Sequence, residues 1–180
     1  MTKALEFASF LGLNGKMRPP LTSIQVRWIP PPDNWFKLNT YGSSLWNPGC
    51  VGGGGIIRNS HGDWVCGYAR SVGYTTSVAA ELWVLRGGIN MCIDLRLATV
   101  EIELDTKLVV DLLQKDAGSL TGNDVILADC KECLKRILRV KIQHCFRKAN
   151  KCANALPRIG TLLSQDFIVL STPSRCRAVN

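Results

Sequence analysis

A chain of 180 residues, 46% hydrophobic and 20% charged, has the size and composition of one globular domain with a core of its own and ragged ends. Its longest early apolar run, Leu5 to Leu13, contains Glu6, is too short to span a bilayer and lacks a small-residue cleavage pattern, which argues against a membrane span and a secretory leader. The formal charge of +8 is unevenly placed: nine Lys or Arg and one Glu fall between Lys131 and Arg158, leaving thirteen of each sign elsewhere.

Taken in chain order, residues 1–33 show no sustained period and end in Trp28-Ile29-Pro30-Pro31-Pro32, an extended lead-in that cannot join a helix. The domain is expected over 34–160. Trp35 to Tyr41 alternates as a strand does, and Gly42-Ser43-Ser44 breaks it. Two further β-like runs, 51–58 and 64–74, flank Asn59-Ser60-His61-Gly62-Asp63, which is hairpin turn chemistry, so the first three strands form a meander. Thr76 then caps a helix whose apolar positions are Val78, Leu82, Leu85, Ile89 and Cys92; Gly87 and Gly88 weaken it but permit close approach to a neighbouring backbone. Thr99 to Leu104 predicts a strand, Leu108 to about Gly118 a short helix, and Asn123 to Arg139 a longer helix with Cys130 and Cys133 on its buried stripe. Val140 to Phe146 reads as a fifth strand and Ala149 to Ile159 as a helix interrupted by Pro157, while 161–180 is left as an irregular tail. A meander followed by strands that need crossovers implies an α/β fold with a five-stranded mixed sheet flanked by helices.

The charge excess late in the chain is what a surface that meets phosphates would carry; a solvated basic face is the competing reading. The eight cysteines, with no leader before them, fit free thiols in a reducing, intracellular setting, nuclear or cytoplasmic.

Several ordered motifs across residues 26–160 carry a resemblance. They are Trp28-Ile-Pro-Pro-Pro, Trp35-Phe-Lys-Leu-Asn-Thr-Tyr-Gly-Ser43, Gly53-Gly-Gly-Ile-Ile-Arg-Asn, Ala79-Ala-Glu-Leu-Trp-Val-Leu-Arg-Gly-Gly, Glu103-Leu-Asp105 and His144-Cys-Phe-Arg-Lys-Ala-Asn-Lys-Cys-Ala-Asn154. Together they resemble the ribonuclease H-like domains of plant retroelement-derived proteins, related to the type 1 ribonuclease H domain of reverse transcriptases. The resemblance implies a ribonuclease H-like fold and, as the family's activity, metal-dependent cleavage of RNA–DNA hybrids. In that family four acids hold two magnesium ions. Here the four positions read Tyr41, Glu81, Asp105 and Asn154.

Two divalent ions clamping a scissile phosphate need anionic oxygens, both as hard ligands and to offset their mutual repulsion. A phenol at Tyr41 and an amide at Asn154 supply no charge, so the set falls from four acids to two, with Glu81 and Asp105 as the remaining metal ligands. Glu103 lies two residues before Asp105, about 6.5–7 Å back along the strand, where it could reach one ion but not bridge two. His144 falls ten residues before Asn154, the place of the family's proton-transfer His. Ser43, Arg147, Lys148, Asn150 and Lys151 are the expected nucleic-acid contacts, with RNA or an RNA–DNA hybrid as partner.

The expectation is therefore a monomeric domain that binds nucleic acid, with hybrid cleavage lost or much reduced and Mg2+ or Mn2+ held weakly or not at all. A weak hydrolase using one metal at Glu81 and Asp105, and a non-functional remnant, stand as alternatives. Cys130, Cys133, His144, Cys145 and Cys152 could be proposed as a zinc set, but the first two fall on a buried helical stripe, so no zinc is expected. Gly52 to Gly55 looks like a phosphate cradle, yet no Lys-Ser or Lys-Thr follows, and a closely packed strand is the simpler reading.

Overall fold

An alternating first run, a glycine-rich second and a third joined to it by a tight turn form the antiparallel meander β1 (Phe36–Ser44), β2 (Gly49–Arg58) and β3 (Trp64–Thr75) in a computed structural model of the chain, which describes residues 27–44, 48–115, 124–146 and 166–172. The β2–β3 turn forms as its residues dictate. The Asn59 side chain accepts from the His61 and Asp63 amides at 3.0 and 2.9 Å, and Gly62 takes φ +84°. The chain then crosses through α1 (Ser77–Asp94) to β4 (Thr99–Leu104), which pairs parallel to β1, and through α2 (Lys107–Gln114) and α3 (Asp124–Leu134) to β5 (Arg139–His144), parallel to β4.

Among the described residues the mixed sheet has six strands in the order β5-β4-β1-β2-β3-β6, not the five expected. The addition, β6 (Phe167–Leu170), pairs antiparallel to β3. Phe167-Ile-Val-Leu170 is too short and too uniformly apolar to show a period, and only the ladder to β3 makes it a strand.

Thr76 Oγ1 accepts from the Ala79 amide at 3.3 Å and starts α1. Its apolar stripe packs on Leu38, Tyr68, Val100 and Ile102 in the main core. The approach is close because glycines face it. A Cβ on Gly53 would lie 2.2 Å from Val84 Cγ2, and one on Gly88 would lie 2.7 Å from the Tyr68 hydroxyl, which donates to the Val84 carbonyl at 2.6 Å. The glycine run is thus a packing strand. α3 stops at Leu134, short of the expected Arg139: the Arg139 amide bonds the Ala98 carbonyl at 3.0 Å to open β5, so the chain must leave the helix before it.

The other face of the sheet is polar and nevertheless buried. Lys37 is 1% exposed and its ammonium lies 2.7 Å from both Glu101 Oε1 and Glu103 Oε1. Asn39 donates to Glu103 Oε2 at 2.8 Å, and Gln143 donates to both glutamates at 2.9 Å. Trp28 lies over this network: its indole N–H donates to Asn39 Oδ1 at 2.9 Å, with the Lys37 and Arg58 cations 5.5 and 4.9 Å from the ring centroid. The Lys37 ammonium also donates to the Ile29 carbonyl at 2.6 Å.

Candidate functional site

Parallel strands deliver their last residues to one end of the sheet, and that end collects the candidate site. β4 ends at Leu104, so Asp105 projects from its C-terminal tip; β5 ends at His144, paired in register with Leu104, and His144 Nε2 lies 3.2 Å from the Asp105 carbonyl oxygen. On the adjacent β1, Gly42 abuts the second turn of α1, where an added Cβ would come within 3.1 Å of Ala80 C and Glu81 N. This contact brings the Glu81 carboxylate to the Gly42 amide, which donates to it.

Burial is the main influence on Glu81, which is 4% exposed. It pushes the carboxyl up from the ordinary 4.5 to about 8, the negative charge of Asp105 adds to the rise, and the Gly42 amide and Thr106 hydroxyl pull it partly back. Asp105 is also raised, by burial first, against its own backbone amide, His144 and Thr106. Glu81 Oε2 is buried without a hydrogen-bond partner. The result is a shielded Glu81 carboxyl held close to the negative charge of Asp105.

Of the residues singled out from sequence, Glu81, Asp105 and His144 converge, with buried Tyr41 on the neighbouring strand. Ser43 lies two residues further along β1, opposite Gly52. Arg147, Lys148, Asn150, Lys151, Asn154 and the helix expected over 149–159 lie outside the described residues. Glu103 does not join the site: Oε1 is taken by Lys37 and Gln143 and Oε2 by Asn39, so its place as a spare metal ligand is corrected.

Cys130 and Cys133 are buried where α3 meets α1. The Cys130 thiol bonds the Leu82 carbonyl at 3.5 Å, and burial pushes it up to about 12. Among the described residues no three His, Cys, Asp or Glu side chains are arranged to hold a metal ion. Nor is any described helix long and apolar enough to cross a membrane.

Two contributors escape sequence reading. Thr106 stands at the N-cap of α2 yet makes no capping bond; its hydroxyl serves Glu81 and Asp105 instead. Cys145 is buried one residue past β5, its thiol pushed up to about 12 by burial and by Glu103, Asp105 and Glu81 nearby. The alternation Lys141, Gln143, Cys145 along β5 is the one sequence signal that points to it.

Residues 39–159 match a family model described as reverse transcriptase-like. An Arabidopsis thaliana protein named for ribonuclease H is 29% identical over 148 residues, covering 82% of this chain and 24% of its own length. The chain thus spans about a quarter of that relative. Among solved structures, the N-terminal RNase H domain of a Mycobacterium tuberculosis protein superposes with TM-score 0.66 at 19% identity, covering 71% of this chain and 93% of that one. RNase H1 of Halobacterium salinarum gives 0.66 at 23%, covering 70% and 96%. A compost-derived RNase H1 in complex with an RNA/DNA hybrid gives 0.65 at 20%, with the same coverage. At these identities the superpositions speak for the fold.

Proposed function

The chain belongs to the reverse transcriptase-like family and has the ribonuclease H-like fold, and from that premise we propose that it binds RNA or RNA–DNA hybrid at the Glu81–Asp105 end of the sheet while cleaving it slowly or not at all. The observation that carries this reading is the carboxylate pair itself. Burial and the Asp105 charge raise the Glu81 carboxyl to about 8, so gathering negative charge at this end of the sheet is disfavoured. Paired divalent ions need more anionic oxygen than this pair supplies. Tyr41 brings a neutral oxygen on β1, and Asn154 brings an amide in place of the fourth acid.

The donor set does fit one hard ion. The partnerless buried Oε2 of Glu81 and the carboxylate of Asp105 would hold a single Mg2+ or Mn2+, whose chemistry would be to polarise a phosphate oxygen. That oxygen favours the second reading, residual one-metal hydrolysis. In either case the protein's own groups have defined tasks: Thr106 and the Gly42 amide steady the carboxylates, and His144, against the Asp105 carbonyl, is placed to carry a proton. Ser43, Arg147, Lys148, Asn150 and Lys151 are proposed as the phosphate contacts beside the site. The free thiols among the described cysteines suit a reducing compartment, nuclear or cytoplasmic.

The deciding experiment measures hybrid cleavage with Mg2+ or Mn2+ by the parent and by a Tyr41→Asp/Asn154→Asp double revertant. The parent is expected to run about a hundredfold or more below the revertant, equivalent to about 2.7 kcal/mol of transition-state stabilisation. Equal rates would sink the reading.

A further inference from the structure

We infer that the outer edge of β5 and the turn before it form a second phosphate-contact surface, a strand length away from the carboxylates, along which a bound nucleic acid continues. The inference rests on the nucleic-acid reading above. Five of the nine late cations, Lys131, Lys135, Arg136, Arg139 and Lys141, fall within the described residues, and they do not gather at the site. β5 is an edge strand, with Arg139 at its start and His144 at its end. Five residue steps of parallel strand, at about 3.3 Å each, put about 17 Å between them.

Lys135, Arg136, Arg139 and Lys141 are all exposed. Their acidic neighbours do not neutralise them. Lys135 pairs with Glu132 at 2.7 Å, but both side chains are more than 70% exposed, and such a pair exchanges readily for a phosphate. Lys141 lies 3.2 Å from Glu101, a buried carboxylate that already serves Lys37. Arg139 lies over the Trp35 ring at 5.7 Å, a contact that leaves its charge uncancelled.

Length and screening decide between a track and an incidental cluster. A nucleic-acid strand in a duplex carries one phosphate per about 3.4 Å of axis, so the span from Arg139 to His144 matches about five phosphates. At physiological salt the Debye length is about 8 Å, so cations about 17 Å from the site would hardly affect a ligand held only there. Long basic side chains without base-reading partners suit backbone contact, independent of sequence.

The test is the salt dependence of binding to an 18-base-pair RNA–DNA hybrid without divalent metal, followed by fluorescence anisotropy. A Lys135→Gln/Arg136→Gln/Arg139→Gln variant should lower the slope of log K against log salt by about two to three, at about 0.7–0.9 per lost phosphate contact. A variant carrying Arg136→Lys and Arg139→Lys should keep the parent slope. An unchanged slope in the glutamine variant would overturn the inference and leave the patch to an acidic protein or to solvent. Equal loss in the lysine variant would also overturn it, by showing a structural effect. If the parent itself binds no hybrid, the nucleic-acid reading fails first and takes the inference with it.

Discussion

On the α1 side of the sheet, Leu38, Ile102 and Tyr68 meet the helix through glycines that let backbone approach backbone. On the other side, their neighbours Lys37, Glu101 and Glu103 are nearly as buried, but they are charged and lie under Trp28. The first face is held by packing, which fails gradually as volume changes. The second is held by pairing, which fails abruptly when one partner goes, because the remaining charge stays out of water. The candidate site lies at the strand ends, where Tyr41 continues the row of Lys37 and Asn39 while Gly42 and Glu81 belong to the helix side.

The sharpest way to break the comparison is Lys37→Met, which leaves buried Glu103 without a cation and Glu101 with Lys141 alone, and should cost about 3–5 kcal/mol in urea denaturation at pH 7. A loss below about 1 kcal/mol would mean that water reaches the network. At the junction of the faces, folded Glu81 holds a proton that an unfolded chain with the ordinary value of 4.5 releases. Its contribution is therefore most favourable at low pH and is lost as pH rises from 4.5 to about 8. Across that window the parent should lose up to about 1.4 kcal/mol per pH unit relative to Glu81→Gln; parallel stability curves for the two proteins would contradict it.

On the packed face, Gly53→Ala drives a Cβ against Val84 and to 2.9 Å from the Tyr41 carbonyl. It should cost about 1–3 kcal/mol, read as a lower melting temperature. An unchanged melting temperature would mean that α1 can back away freely. The smallest effect is expected from Trp28→Ala, about 1 kcal/mol by the same melt, since the half-buried indole contributes one hydrogen bond and two cation contacts. A loss as large as that of Lys37→Met would make the indole, rather than the pairing, the main support of that face.

This contrast also explains what could be read in advance. α1 and β4 follow from periodicity and from the Thr76 cap, because an apolar face is a pattern in residue type. That Lys37 would be buried does not follow from any pattern, since a lysine in an alternating strand reads as solvent-facing until its partners on β4 and β5 are placed. β6 was hidden for the opposite reason, four apolar residues with no polar beat between them. At the site, Glu81, Asp105 and His144 were legible as members of spaced motifs. Thr106 was not, because it acts through a hydroxyl turned away from its capping role.

Mn2+ titration followed by electron paramagnetic resonance counts directly how many divalent ions the carboxylate end can hold. The parent should bind at most one ion per chain, while Tyr41→Asp/Asn154→Asp should bind two. Two ions on the parent, at the affinity of the revertant, would contradict the claim that Glu81 and Asp105 alone are too little charge for a pair.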